Sequence, residues 1–271
     1  MVEICVSSFQ YKGRNYGLKY VRGREESAQR LVKFAISNAV AQYSGPDVFP
    51  KRNILSEDIK RPELIKHAQS MGEFDLTILA QKRGVPIAPA YAEITFPETW
   101  CHSNKIIMLE HTRGTNLSAV DTSTLSSRIS VRLIEKLLEI LYRLHTYVTG
   151  LSALIHDDLH TDNLMIPNWT EPNKFPQEPD LKAIDFGVSS KLDPAIRPLQ
   201  YGRTFFQDLY LATRAIQRLF PSCLTRKDLA QMVDKHYSGK IVADLLVAKE
   251  ITDSDSVKLK ENLTATVLSN I

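Results

Sequence analysis

The sequence predicts an α+β fold, with strands in the first part of the chain and helices in the remainder. Segments 2–35 and 90–109 read as short strands separated by turns. From Thr122 onward apolar residues recur at helical spacing, and the longest such run is 129–148. A chain of 271 residues, 43% of them hydrophobic, can bury a sizeable core.

The first part of the chain is predicted to contain five strands and one main helix. The predicted strands are Val2 to Tyr11, Leu18 to Val21, Arg30 to Ala35, Ala90 to Phe96 and Lys105 to Leu109. A turn at 12–17 separates the first two strands, and the proline-interrupted segment 36–61 is predicted to be an insertion. The helix begins at Pro62, a residue favoured in the first turn, and ends near Arg83, just before Gly84.

The second part is predicted to be mostly helical, with one hairpin. The hairpin strands are 164–166 and 181–184, joined by the proline-rich insert 167–180. An apolar helix begins at Asp208 and runs to about Phe220. Three further helices are predicted near 225–236, 240–249 and 254–268.

Two short motifs flank this hairpin. His156 to Asn163 reads H-x-D-x-x-x-x-N, and Asp185-Phe186-Gly187 reads D-F-G. Phosphoryl transfer from a metal-bound nucleotide needs a carboxylate near the attacking hydroxyl, and an amide and a carboxylate for Mg²⁺. Asp158, Asn163 and Asp185 supply these groups in that order, so the motifs predict this chemistry.

With these motifs the chain resembles the protein-kinase-like superfamily, from about Tyr11 to Phe220. The resemblance implies two lobes: a small β-rich N-lobe with one main helix at about 1–109, and a larger, mostly helical C-lobe at about 117–271. A hinge at about 110–116 joins them. It also implies that ATP binds between the lobes with Mg²⁺.

Roles for the C-lobe and hinge residues follow from the same resemblance. Asp158 is expected to orient the acceptor hydroxyl, and Asn163 and Asp185 to hold Mg²⁺. In the hinge, backbone groups near Glu110 and Thr112 are expected to contact the adenine edge.

The resemblance also implies N-lobe roles. Lys33 is expected to bind the nucleotide phosphates and Glu73 to pair with it, whereas Gly13 and Gly17 are expected in the phosphate-binding loop with 16–17 at its tip. Lys19 is a rival for Lys33, but leaves no room upstream for that loop, and Glu63 is a rival for Glu73.

Two other residues have alternative interpretations. Asp208 is either the residue that braces the catalytic-loop backbone, as in the family, or simply an acidic residue at a helix start. His156 and His160 are four residues apart, as in zinc-binding helices, but no Glu follows His156 and the segment reads as a loop. Magnesium therefore fits better than zinc.

Departures from the family pattern narrow the predicted function. Asp157 stands where the arginine of H-R-D is expected, which argues against control by loop phosphorylation. His160 stands where typical Ser/Thr kinases have lysine. The segment from Asp185 to Asp208 is short and lacks A-P-E. The prediction is a compact, atypical protein kinase acting on Ser/Thr hydroxyls of a protein substrate. The alternatives are a small-molecule kinase, a pseudokinase scaffold and AMP transfer.

Composition excludes few classes of function. The net charge of +3 gives no strong attraction to nucleic acid or membrane, and the three cysteines suit reduced thiols. No signal peptide is visible, and no apolar run approaches the roughly 20 residues of a membrane helix. We therefore expect a cytoplasmic protein, or an effector delivered into a host cytoplasm.

Overall fold

The computed structural model describes residues 4–11, 14–21, 52–53, 72–95, 105–147, 151–169, 176, 178–192 and 196–269. The chain is a mixed α/β protein that divides into two compact units. The first unit comprises Met1–Ile78 and Ala88–Thr112, and the second comprises Leu79–Ile87 and Arg113–Ile271. No helix within the described ranges is both long and apolar enough to cross a membrane.

The first unit contains a five-stranded sheet. In spatial order its strands are β1 (Ile4–Tyr11), β2 (Arg14–Val21), β5 (Lys105–Glu110), β4 (Ala90–Thr95) and β3 (Arg52–Asn53). Neighbouring strands are antiparallel except β3 and β4, which are parallel. Residues 16–19 of β2 are all buried. Because successive side chains of a strand point to opposite faces, β2 is covered on both faces, and the Lys19 ammonium needs a partner.

The helix of the first unit, α1 (Glu73–Lys82), depends on packing for its stability. It has only 10 residues, too few for a stable isolated helix. Its side chains Phe74 and Ile78 pack against Ala90 and Ile107 of the sheet. This packing fixes the first turn of α1, where Glu73 lies.

The second unit is built around α2 (Ser127–His145). The Ser126 side chain accepts a hydrogen bond from the Ile129 N–H and caps its first turn. The apolar face of α2 is fully buried at Leu133, Ile134, Leu137, Leu138, Ile140, Leu141 and Leu144. The helices that follow are α3 (Tyr201–Thr204), α4 (Phe206–Leu219), α5 (Arg226–Val233), α6 (Gly239–Val247) and α7 (Asp253–Leu268).

Two small sheets of the second unit carry the candidate site. One has the order β6 (Gly114–Asn116), β8 (Leu164–Pro167) and β9 (Lys182–Ala183); the other pairs β7 (Leu154–Ile155) with β10 (Ser190–Lys191). A Cβ at Gly114 would collide with the Ile166 carbonyl, so glycine permits the close approach of β6 and β8. The antiparallel β8–β9 pair is the hairpin predicted from the sequence.

The predicted turn at 12–17 is wrong over most of its length. Strand β2 begins at Arg14, and Gly17 lies inside it, paired with Ser8 on one side and Leu109 on the other. Gly17 is therefore not at the tip of a loop. A glycine within a strand weakens the local strand signal, which is why the sequence placed the strand start at Leu18. The predicted strand at 30–35 lies outside the described residues, as does most of the 36–61 insertion.

Candidate active site

Asp208, in the first turn of α4, anchors the loop that follows β7. Its Oδ2 accepts a hydrogen bond from the backbone N–H of His156 at 2.8 Å, and its Oδ1 accepts one from that of Asp157, also at 2.8 Å. The Asp208 side chain is fully buried. One carboxylate therefore fixes two successive peptide groups immediately before Asp158. Of the two interpretations of Asp208, the structure supports the brace.

A buried histidine and tyrosine complete this anchor. His145 Nε2 lies 3.0 Å from Asp208 Oδ2, and His145 Nδ1 lies 2.9 Å from the Tyr237 hydroxyl. Burial lowers the pKa of His145, so the neutral ring donates to Asp208 through Nε2 and accepts from Tyr237 at Nδ1. Burial raises the pKa of Asp208, but hydrogen bonds from His145 and the His156 backbone outweigh this effect and hold the pKa below its ordinary value. Asp208 is therefore an anion at neutral pH.

Asp158, His160 and Asn163 form a hydrogen-bonded cluster on the anchored loop. Asn163 Nδ2 donates to the Asp158 carbonyl oxygen at 2.8 Å and to its Oδ2 at 3.1 Å. His160 Nδ1 accepts from the Asp162 backbone N–H, and His160 Nε2 lies 3.4 Å from both the same Oδ2 and Asn163 Nδ2. The Asn163 amide and the His160 imidazole thus face one oxygen of the Asp158 carboxylate. The other oxygen, Oδ1, is the one that can meet a further group.

Asp185 is joined to the same cluster through the backbone. The Ile184 N–H donates to the Asn163 carbonyl at 3.0 Å, and Asp185 Oδ1 accepts from the Gly187 N–H at 3.2 Å. Asp185 has a φ of 64°, in the left-handed region. The structure therefore brings Asp158, Asn163 and Asp185, predicted from two separate motifs, onto one bonded framework.

His156 links the loop to D-F-G. Its Nε2 lies 3.0 Å from the Ile184 carbonyl, and its ring packs against Phe186 with 4.7 Å between centroids. Burial lowers the pKa of His156, so the neutral ring donates to Ile184. These contacts give His156 a structural role, and no cluster of three or more His, Cys, Asp or Glu side chains suited to a metal occurs in the described part of the chain.

In the first unit, Glu73 forms an ion pair with a buried lysine of β2. Lys19 Nζ lies 2.7 Å from Glu73 Oε1, and both side chains are buried. Lys19 is the rival lysine of the sequence analysis. Lys33, Glu63 and Gly13 lie outside the described residues. The sequence favoured Lys33 over Lys19 because a phosphate-binding loop was expected upstream of the lysine. The feature that points to Lys19 is a lysine within an apolar strand, and the same feature favoured Lys33.

The segment after β5 has two buried polar atoms that are unpaired within the described ranges. These are His111 Nδ1 and Thr112 Oγ1. The Glu110 N–H donates to the Pro89 carbonyl, and the Thr112 N–H donates to the Glu110 carbonyl. The backbone N–H groups of both predicted adenine-contacting residues are therefore already bonded to carbonyls of the protein, and the contact itself stays a prediction.

The donor set of the second unit fits Mg²⁺. Asn163 directs its amide nitrogen toward Asp158, which leaves Oδ1 as its metal-binding atom, and Asp185 adds carboxylate oxygens. Magnesium prefers hard oxygen ligands and is commonly held by one or two carboxylates together with phosphates and water. A metal ion that is also coordinated by nucleotide phosphates needs no protein ligands beyond these two side chains.

Sequence reasoning missed three residues that support the site. Ser190 Oγ donates to Asp157 Oδ2 at 3.3 Å, and Tyr237 donates to His145. Arg83 is buried and donates to the backbone carbonyls of Arg143, Thr146, Leu151 and Ser152. No local pattern marks any of the three, because each acts on residues distant in sequence.

Comparison with known proteins gives little further information. No protein-family model matches the chain, and no curated protein matches it. Among solved structures the chain is similar to "WaaP in complex with acyl carrier protein", with 14% sequence identity, a TM-score of 0.49 and coverage of 94% of this chain and 85% of that chain. At this similarity the functional assignment depends on the chain's own residues.

Proposed function

We propose that this chain is an ATP-dependent phosphotransferase with the two-lobed protein-kinase-like fold, which transfers the γ-phosphate of Mg-ATP to Ser or Thr hydroxyls of a protein. The observation that carries the proposal is the bonded framework of Asp158, Asn163 and Asp185, with its backbone anchored by Asp208. Phosphoryl transfer depends mainly on positioning and charge stabilisation, and a rigid framework suits both.

Each polar group of the framework has one role in this proposal. Asp158 Oδ1 accepts a hydrogen bond from the acceptor hydroxyl and orients it for in-line attack, while Asn163 and His160 hold the opposite oxygen. Asn163 Oδ1 and the Asp185 carboxylate would hold Mg²⁺. When bound, the ion neutralises charge on the phosphates.

For the nucleotide phosphates we propose Lys19 in place of Lys33. The 2.7 Å ion pair with Glu73 holds the Lys19 ammonium in one position, and both groups are buried on packed elements. A lysine fixed by a glutamate in this way is the arrangement on which kinase-like phosphate binding depends. The division into an N-lobe at about 1–109, a hinge and a C-lobe from about 117 is supported by the two compact units.

The loop that carries Asp158 is unsuited to control by phosphorylation of a neighbouring loop. The half-buried Asp157 carboxylate contacts Ser190, and burial, with Asp208, raises its pKa. An acidic group at this position would repel a phosphorylated loop, which an arginine would attract. The second candidate, a small-molecule kinase, is favoured by His160, whose imidazole lies 3.4 Å from the Asp158 carboxylate.

The test is transfer from labelled ATP. Purified protein is incubated with γ-³²P- or α-³²P-ATP and Mg²⁺, with a set of proteins and a set of small hydroxylated compounds as acceptors. We expect γ-label on protein. Asp158→Asn and Asp185→Asn should each lower transfer by about a hundredfold or more, because each removes a charged group from the reacting centre. Asp162→Asn, which removes an exposed carboxylate from the same loop, is the matched control.

The other outcomes separate the alternatives. γ-Label on a small compound favours the second candidate, and α-label identifies AMP transfer. Full transfer by folded Asp185→Asn protein would overturn the assignment of the site. ATP binding without transfer to any acceptor would indicate a scaffold.

A further inference from the structure

A stripe of four side chains, three of them exposed and one half-buried, runs along α3 and α4. Helical hydrogen bonding continues through Phe205, whose N–H donates to Tyr201 and whose carbonyl accepts from Leu209. Arg203, Phe206, Tyr210 and Arg214 follow one another at intervals of three or four residues, which places them on one side of the helical segment. We name these four residues the arginine face.

The side chains of the arginine face stack on one another. The rings of Phe206 and Tyr210 are nearly parallel, with 6.0 Å between centroids. The Arg214 guanidinium lies 6.0 Å from the Tyr210 centroid and donates to its hydroxyl at 3.4 Å. Phe206 is 53% exposed. The stack holds a large apolar ring partly in solvent, where it is available to pack against another molecule.

Within the helical segment that carries this stack, the exposed charges have one sign. Asp208 is the only acidic residue in 196–219, and its side chain is fully buried. Arg203 and Arg214 are exposed, and neither forms an ion pair with a carboxylate of the described residues. Arg218, a further arginine of this segment, donates instead to the carbonyls of Ser118 and Val120. The arginine face therefore presents two guanidiniums that lack a carboxylate partner among the described residues, one on each side of two aromatic rings.

We propose that the arginine face docks an acidic amphipathic helix of a partner protein. Arg203 and Arg214 are eleven positions apart, about 16 Å along a helix at 1.5 Å per residue. A partner helix of about three turns, with carboxylates at both ends and apolar side chains between them, matches this spacing. The guanidiniums would bind the carboxylates, as their planar geometry favours, and Phe206 and Tyr210 would pack against the apolar residues.

The apolar centre distinguishes this partner from a polyanion. A phosphate backbone would pair with the two arginines but would leave Phe206 exposed to water. An anionic bilayer would cover Phe206, but it would not select for the spacing between the arginines. The proposal is independent of phosphoryl transfer, since none of the four side chains belongs to the catalytic framework.

The test uses the full chain and fluorescein-labelled synthetic helices in anisotropy titrations. The matching peptide carries glutamates in its first and last turns and leucines on one face between them. The control peptide has the same composition, with glutamates in the middle and leucines at the ends. We expect saturable binding of the matching peptide and at least about tenfold weaker binding of the control, since charge placement determines register.

Paired variants test the residues. Arg203→Glu with Arg214→Glu should weaken binding of the matching peptide at least about tenfold, and Phe206→Ala about fivefold. The controls are Arg128→Glu with Lys227→Glu, an equal charge change at two other exposed positions, and Val257→Ala, at a side chain 57% exposed on α7. Both controls should bind within about twofold of the unsubstituted chain. Circular dichroism and melting temperature establish that each variant is folded.

Four outcomes would overturn the proposal. These are an absence of saturable binding, equal binding of the two peptides, equal weakening by the control charge variants, and tighter binding to single-stranded RNA or phosphatidylglycerol vesicles than to the matching peptide. The last result would assign the face to a nucleic acid or a membrane.

Discussion

Asp208 connects the helical core to the loop that carries Asp158. Its two oxygens accept from two backbone N–H groups and the His145 imidazole, and Tyr237 supports the imidazole in turn. A fully buried carboxylate is costly unless it is satisfied in this way. The position of Asp158 thus depends on a side chain that is itself fully buried.

Asp208→Asn should be strongly destabilising. The substitution keeps the shape of the side chain but replaces one carboxylate oxygen with an amide nitrogen. That nitrogen is a donor, and it would face a backbone N–H of the loop or the N–H of His145. We expect the free energy of unfolding, measured by urea denaturation, to fall by about 3 kcal/mol, with most transfer activity lost. Tyr237→Phe removes only the hydroxyl bonded to His145 and should cost about 1 kcal/mol. Equal losses in the two variants would contradict the role of Asp208 as anchor.

Lys19→Met and Lys33→Met distinguish the two candidate lysines. If Lys19 binds the phosphates, its loss should reduce kcat/KM for ATP by about a hundredfold or more, whereas Lys33→Met should retain activity. Steady-state kinetics on folded variants provides the measurement. Loss of activity in Lys33→Met alone would restore the original sequence prediction.

The two sets of candidate site residues differ in how far the sequence could predict their proximity. Asp158 and Asn163 belong to one short motif, and D-F-G supplies Asp185, so local spacing was sufficient to place these three residues together. The Lys19–Glu73 pair joins residues far apart in sequence. Its formation depends on which strand is covered on both faces, and a local pattern does not contain that information.

Among the elements, the connection from α2 to β7 depends on one buried arginine. Arg83 donates to carbonyls at 143, 146, 151 and 152, and burial lowers its pKa to about 10. The last carbonyls of a helix lack partners within it, and a planar guanidinium with five N–H groups can satisfy several together. Arg83 thereby fixes the chain that leads into the loop that carries Asp158.

Arg83→Lys should loosen this connection. An ammonium cannot reproduce the fork of the guanidinium, so carbonyls of the α2 end lose their donors. We expect a loss of about 2–4 kcal/mol in the free energy of unfolding. Hydrogen exchange should increase most at 143–155. Arg128→Lys, at an exposed position, serves as control, and equal exchange in both variants would contradict this role.

At the same scale, elements with a strong periodic pattern were predicted well. The α2 helix, strands β4, β5 and β8, and the helices after Asp208 lie close to their predicted bounds. The start of β2 was predicted wrongly, because Asn15 and Gly17 resemble turn residues. Pairing with β1 and β5 overrides that local preference.

For the whole molecule, buried histidines make stability depend on pH. Burial lowers the pKa of His145 and of His156, whereas in the unfolded chain each titrates near 6.5. Below that pH the unfolded chain binds protons that the folded chain does not, so the free energy of unfolding falls as pH decreases. Asp208 adds to this at lower pH, because its contribution is present above its unfolded pKa of 3.8 and is lost as pH falls through its lower folded pKa.

Urea unfolding between pH 7.5 and 5.0 tests this dependence. We expect stability to fall steadily below about pH 6.5, by up to about 1.4 kcal/mol per pH unit for each neutral histidine. His145→Gln should reduce the slope by the share of one histidine. A pH-independent stability, or an unchanged slope in the variant, would contradict the neutral assignment. Helical spacing already placed His145 on the apolar side of its helix, four residues after Leu141, whereas no sequence pattern marked His156 as buried.

The left-handed backbone at Asp157 and Asp185 has an evolutionary consequence. Their φ angles of 63° and 64° are a conformation that costs an aspartate on the order of 1 kcal/mol but that glycine adopts freely. Aspartate and glycine codons differ by a single base. Under selection for the proposed phosphotransfer, the Asp185 carboxylate retains its place against this intrinsic preference. In a duplicated copy released from that selection, Asp185 should be among the first positions to drift to glycine, recording the loss of the proposed reaction before the fold itself changes.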